Sequence, residues 1–278
     1  MNIPWKIKSV IFGLIDFLND PSALYFIQKN ITKRSRITTL NVSPIWEAHK
    51  KVLEKYGATD SVFEFGVGKS LAQNLFLSNV VDKQLVVDLN PMIDFELVET
   101  ARRILSEKVS LKSDIKIKNV KDLDNFGIQY CAPYDASETT LDDQSLDACI
   151  STFTLEHIPK KSIENIFKEL HRKLKETGIV SAKIDYSDHY AHTDSKIPLL
   201  NYLRYDADEW KKYNHNCHYQ NRLRHYDYIR IFESLGFSVV EQSLDFSEKS
   251  IPAEIVKLFE GKDKSWQATS AHIVLKKA

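Results

Sequence analysis

The chain has 278 residues, of which 43% are hydrophobic and 27% charged, and its 38 lysines and arginines balance 38 aspartates and glutamates. That length and composition fit one globular α/β domain with extensions, or at most two small domains, and exclude a disordered or fibrous chain. Zero formal charge lacks the basic excess of a nucleic-acid binder, and the three cysteines, Cys131, Cys149 and Cys217, are too scattered for a disulfide framework or a CxxC zinc pattern. Reduced thiols in a cytoplasmic protein are the simple reading.

The first element is a helix around residues 5–18, within IPWKIKSVIFGLIDFL. Gly13 and Asp16 break its apolar run, which is too short for the roughly 20 residues that span a bilayer. Lysines precede it as in a signal peptide, but only Asp20-Pro21 and bulky residues follow, with no small-residue cleavage site. The simpler reading is a helix packed over the main domain. The alternative, with Trp5, Lys6 and Lys8 beside apolar residues, is a helix lying on the inner face of a membrane. A second helix over 21–30 is signalled by Asp20-Pro21, and residues 1–44 read as a helical extension.

Ser43-Pro44 opens an amphipathic helix, IWEAHKKVLEKY, ended by Gly57. SVFEFG is a short buried strand, KSLAQNLFLSN a helix, QLVVDLN a strand, and PMIDFELVETARRIL a helix opening with its proline. A weak strand near IQYCA precedes the apolar strand DACISTF. Residues 160–175 place apolar side chains at 163, 166, 167, 170 and 174, a helical stripe that Gly178 ends before the strand IVSAKIDY. This alternation predicts an α/β fold, a mainly parallel sheet with helices on both faces. Residues 186–226 then break the rhythm with His, Tyr, Asn, Asp and Arg. A helix, YDYIRIFESLGF, and two strands, SVVEQSLDF and TSAHIVLKK, follow as an antiparallel pair at one sheet edge.

Residues 62–70, VFEFGVGKS, carry the chemistry. A Walker A loop ending at Gly68-Lys69-Ser70 needs glycine at 63, where Phe63 stands. A dinucleotide fingerprint is met at Gly66 and Gly68, with Asp88 after the next strand, but Leu71 occupies its third glycine position. Glu64 also opposes a pyrophosphate by charge. A cofactor without phosphate and with positive charge removes both difficulties: S-adenosylmethionine carries a sulfonium and an ammonium, which favour a carboxylate. Asp88 can then accept from its ribose hydroxyls.

VFEFGVGKS resembles the first motif of class I S-adenosylmethionine-dependent methyltransferases, with Ser70 in place of the last glycine. QLVVDLNP is similar to the second motif, with Asp88 on the ribose. YDASETTLDDQSLDACISTFTLEHIP is similar to the third and fourth motifs of the type-11 group. There Asp135-Ala136 matches the pair whose Asp contacts the adenine amino group. Ser145-Leu146-Asp147 matches the opening of the fourth strand, and Leu155-Glu156-His157-Ile158 the segment after it. The resemblance covers roughly residues 45 to 278. It implies a Rossmann-like methyltransferase sheet, S-adenosylmethionine held by Glu64, Gly66, Gly68, Asp88, Asp135 and Ala136, and substrate near His157.

Specificity is expected in the insert 186–226, because ligands sit outside the carboxyl ends of the strands. His189 and His192, with Asp188 and Asp194 nearby, read as an acid–base pair for a hydroxyl acceptor, as a metal-ligand pattern, or as polar loop residues. His215 and His218 flank Cys217, but nothing completes a ligand set, and no metal is required for the expected reaction. Arg222 and Arg224 suit a carboxylate or phosphate, such as a uronic acid or a nucleotide-linked sugar, or else surface ion pairs. Tyr186, Tyr190, Tyr202, Tyr205, Trp210 and Tyr219 can stack on a sugar or form the insert's own core. The extension and insert together resemble bacterial methyltransferases of cell-surface polysaccharide synthesis. The rivals are a nicotinamide-dependent oxidoreductase, whose Tyr-x-x-x-Lys pair occurs only at Tyr25 and Lys29, and a non-catalytic binding protein. Oligomeric state does not follow from these residues.

Overall fold

The computed structural model describes residues 4–18, 40–249 and 251–278. The expected helix over 21–30 lies outside them. Helix α1 is Trp5–Leu18 and α2 is Pro44–Tyr56, whose first turn is capped by the Ser43 side chain. Then follow β1 (Ser61–Phe65), α3 (Ala72–Leu77), β2 (Lys83–Val87), α4 (Phe95–Ser106), β3 (Ile128–Cys131), β4 (Leu146–Thr152), α5 (Lys160–Lys173) and β5 (Leu174–Asp185). The short α6 (Ala207–Lys211) lies in the insert, followed by α7 (His225–Ser234), β6 (Phe237–Phe246), α8 (Ala253–Leu258) and β7 (Ala268–Lys277).

The strands form one sheet in the order β3-β2-β1-β4-β5-β7-β6. Strands β1 to β5 pair in parallel, and β7 lies antiparallel between β5 and β6. The expected antiparallel edge is present. Near-continuous burial of β1 and β4 follows from helices on both faces. On one face Phe63, Phe65, Cys149 and Val180 pack with Ile163, Phe167 and Leu170 of α5 and Tyr228 and Phe232 of α7. On the other, Val62, Ala148, Ile150 and Ile179 meet Val52 and Leu53 of α2 and Phe76 and Leu77 of α3.

Three element boundaries differ from expectation. Helix α4 starts at Phe95 rather than at Pro91, because the Asp94 carboxylate accepts from the Glu96 and Leu97 N–H groups and sets the cap there. The freed segment crosses the glycine loop, where Asp94 N–H donates to the Lys69 carbonyl (3.0 Å). Helix α3 is short because Leu71 takes a left-handed conformation (φ 48°) before it. Strand β5 begins at Leu174, ahead of Gly178, because Leu174 already turns extended at the end of α5.

Helix α1 does not pack over the sheet. Its Trp5, Phe12 and Ile15 join Tyr190, Tyr202 and Trp210 in a separate core within the insert. Its opposite face exposes Ile7, Val10, Leu14, Phe17 and Leu18. No described helix is long and apolar enough to cross a membrane.

Candidate active site

The chain leaves β1 for β2 and β3 on one side and enters β4 and β5 on the other, so the sheet order reverses between β1 and β4. Open α/β sheets bind ligands at the carboxyl ends of such a pair. Here those ends carry Gly66 and Thr154, which touch. Gly66 has φ +75°, and a Cβ on it would stand 2.2 Å from Thr154 Cγ2, so only glycine fits. Gly68, at φ +71°, has open space where a side chain would be. Backbone can therefore approach a ligand at this loop.

Glu64 is the next-to-last residue of β1 and is 4% exposed. Its Oε1 accepts from Gln73 Nε2 (2.8 Å) and its Oε2 from Asn74 Nδ2 (2.7 Å), both in the first turn of α3. Burial nevertheless pushes its carboxyl up to about 7, against these hydrogen bonds and with help from the Asp88 charge. Glu64, Gly66, Gln73, Asn74, Thr152 and Trp46 line a cavity of about 160 Å³. A hydrogen-bond chain braces that cavity from behind. Thr152 donates to Gln73 Oε1 (3.1 Å), so its oxygen accepts from His49 Nε2–H (3.1 Å). His49 Nδ1 then accepts from the Ser181 hydroxyl (2.8 Å), whose oxygen accepts from His272 Nε2–H (2.8 Å). Burial holds His49 well below its usual pKa, which keeps this chain neutral.

Asp88 follows β2, one strand over. Its Oδ1 accepts from the Gly68 N–H (3.3 Å) and its Oδ2 from the Tyr130 hydroxyl (3.2 Å). Burial raises it to about 6. Tyr134 N–H donates to the Asp88 carbonyl (3.0 Å), which draws the 132–136 loop alongside. In that loop Asp135 is exposed, its Oδ1 accepting from the Ser137 N–H and hydroxyl (both 2.8 Å), while Ala136 is buried in the core. The structure thus brings together Glu64, Gly66, Gly68 and Asp88, with Asp135 on the adjoining loop. Gln73, Asn74, Thr152 and Tyr130 were not foreseen. The only sequence signal for the first two is a pair of amides opening the helix after a glycine loop.

This arrangement fits the cofactor. Two buried carboxylates with raised pKa values face a glycine loop, and no lysine or arginine among the described residues hydrogen-bonds either. A ligand with positive charge would be stabilised there. The cavity is too small for a whole nucleoside cofactor; an aminoacyl end would fit beside Glu64, and Asp88, outside the cavity, could accept from ribose hydroxyls.

The acceptor side lies past β4 and β5. Phe153, directly after β4, is exposed with φ 53°, a conformation uncommon for a bulky residue and often retained at functional positions. His157 donates from Nδ1 to the Tyr219 carbonyl (2.8 Å), and its ring lies 4.8 Å from that of His189. His189 and His192 stack at 5.0 Å, and their Nε2 atoms approach Asp185 Oδ2 at 3.4 and 3.5 Å. Asp185, the last residue of β5, was missed because it reads as ordinary strand sequence.

Several sequence expectations need correction. Asp188 and Asp194 do not join the histidines: Asp188 accepts from Tyr190 N–H and Asn201, and Asp194 from Trp5 N–H and Lys196 N–H. Arg224 is neither an anion receptor nor a surface ion-pair partner. It is 1% exposed, and its guanidinium donates to the carbonyls of Tyr186, Trp266 and Ala268 and to the Tyr202 hydroxyl. Arg222 donates to the Tyr202 (3.2 Å) and Tyr205 (2.5 Å) carbonyls. Arg224 ties the insert to the start of β7, and Arg222 ties the insert to itself. His215, Cys217 and His218 serve α1, through Ser9, Asp16 and Phe12 respectively.

Residues 64–182 match the family model of the methyltransferase domain, type 11. No curated protein matches the chain. Among solved structures, an S-adenosylmethionine-dependent methyltransferase from Clostridium acetobutylicum is 12% identical, covering 92% of this chain and 98% of its own, with a TM-score of 0.48. A SAM-dependent methyltransferase from Methanosarcina mazei is 15% identical, covering 86% and 99%, with a TM-score of 0.48. The matched stretch runs from Glu64 in β1 to Ala182 in β5 and takes in the glycine loop, Asp88 and the LEHI segment. Residues 64–182 are thus similar to the methyltransferase domain, and the cofactor is S-adenosylmethionine.

Proposed function

We propose that the chain methylates a hydroxyl of a small molecule or sugar, with the acceptor held between the LEHI segment and the insert. The observation that carries this reading is the histidine pair on Asp185, at the carboxyl end of β5 and next to the strand ends that carry the cofactor loop. When bound, S-adenosylmethionine supplies an electrophilic methyl group on a sulfonium. Attack by a hydroxyl oxygen forms the O–C bond as the S–C bond breaks, and the hydroxyl proton needs an acceptor.

The contacts of His192 with Ser187 and Asp185 support that role for it. Ser187 donates to Asp185 Oδ1 (2.6 Å), so its oxygen accepts from His192 Nε2–H (2.9 Å). The lone pair then sits on Nδ1, and Asp185 steadies the imidazolium that forms. A sugar of bacterial surface polysaccharide remains the acceptor class that the insert and extension favour. The exposed apolar face of α1 supports a peripheral contact with the membrane where such sugars are assembled.

The test is methyl transfer from labelled S-adenosylmethionine to a panel of sugars, nucleotide sugars and phenols. Transfer should occur with at least one class, and His192→Gln should lower kcat by about 10²–10⁴ with cofactor affinity unchanged. Saturable NAD binding without S-adenosylmethionine binding would sink the reading. Sedimentation with anionic vesicles checks the membrane contact, which Val10→Asp with Phe17→Asp should abolish.

A further inference from the structure

The segment after β4 forms, with His189, a cluster whose Glu156 and His157 methyl transfer, as described, leaves without a chemical role. Glu156 is 1% exposed, and no hydrogen bond of ordinary geometry reaches either of its carboxylate oxygens. A buried carboxylate is costly to keep ionised, and only weak contacts from the Glu156 and Asp185 backbone N–H groups reach this one. His189 Nε2 is likewise buried without a hydrogen bond, its 3.4 Å approach to Asp185 being an ion-pair contact only. His157, opposite, commits Nδ1 to the Tyr219 carbonyl, so its Nε2 carries the lone pair. One potential ligand atom from each of Glu156, His157 and His189 lies within 4.8 Å of the other two.

We propose that Glu156, His157 and His189 bind one divalent transition-metal ion of the zinc class, with coordination positions left for the acceptor oxygen. Imidazole with carboxylate suits zinc, cobalt, manganese or iron, whereas magnesium and calcium take oxygen ligands. Three protein ligands and an open position are the pattern of a catalytic rather than a structural zinc. Ligand atoms on one tetrahedral zinc stand about 3.3 Å apart, so the trio must close by about 1.5 Å at most. The exposed His157 ring can supply that movement. The Tyr219 carbonyl that accepts from His157 Nδ1–H is the kind of orienting partner that metal-bound histidines use. A bound ion would acidify an acceptor hydroxyl. That role rests on the proposed function, but the binding itself does not.

The experiment is titration of the chelator-stripped full chain with Co²⁺, read by visible absorption, and with Zn²⁺ by calorimetry. One equivalent should bind with tetrahedral or five-coordinate cobalt bands. Glu156→Gln and His189→Gln should each weaken binding at least about tenfold, while S-adenosylmethionine affinity stays within about twofold. Retained cofactor binding shows an intact fold and separates failure of this site from failure of the methyltransferase reading. Should either variant lose cofactor binding, His157→Gln, at an exposed ring, carries the same prediction. No stoichiometric metal binding, or binding unchanged in these variants, overturns the proposal.

Discussion

Cofactor affinity should rise steeply with pH below neutrality. Glu64 titrates at about 7 and Asp88 at about 6 in the free protein. A cationic ligand favours both carboxylates ionised, so protein with either one protonated must lose a proton to bind. At pH 5.5 about 3% of Glu64 and about 25% of Asp88 are ionised, so about 1% of molecules are ready to bind. At pH 7.5 the ready fraction is about three quarters. Affinity should therefore increase about a hundredfold between these pH values, about 2.7 kcal/mol. The amine of the ligand stays protonated over most of this window. Calorimetry in buffers of different ionisation enthalpy should find about 1.7 protons released per cofactor at pH 5.5 and about 0.3 at pH 7.5. Asp88→Asn should remove the lower-pH step. A dissociation constant that is flat across the window, with no proton release, would mean that the positive end of the ligand does not meet these carboxylates.

Two further perturbations probe what holds the site in place. Arg224→Ala strands the carbonyls of Tyr186, Trp266 and Ala268, and should cost about 3–5 kcal/mol in urea unfolding; a loss below 1 kcal/mol would return the residue to the list of substrate contacts. Gly66→Ala should destabilise the protein by about 2 kcal/mol or more and abolish cofactor binding, since its Cβ meets Thr154 and φ is +75°. Adding Thr154→Ala should recover the steric part and leave about 1 kcal/mol of backbone strain, a coupling that a double-mutant cycle measures.

The legible parts of this molecule are those where one residue type answers a local demand. Gly66 and Gly68 follow from the tight loop, Asp88 from its place after β2, and the helices from their stripes and from caps such as Ser43. The sheet follows from the alternation of these elements. Illegible were the residues whose role depends on what the fold carries to them from elsewhere. Arg224 looks like an anion receptor in isolation. It becomes a tie only because Trp266 and Ala268, 42 and 44 residues later, return beside it. Asp188 and Asp194 sit next to histidines in the chain, yet turn away to cap Tyr190 and Trp5. Asp185, at the end of a strand, is the carboxylate that both histidines reach. The same holds for Glu156. Its neighbours in the sequence mark it only as part of a motif, and its lack of a partner emerges when the turn after β4 buries it beside His189. A buried acid left unpaired in a chain that satisfies Glu64 with two amides and Glu169 with Thr139 and Arg172 is the exception. Burial excludes water from it, and the proposed cation is a group small enough to complete it.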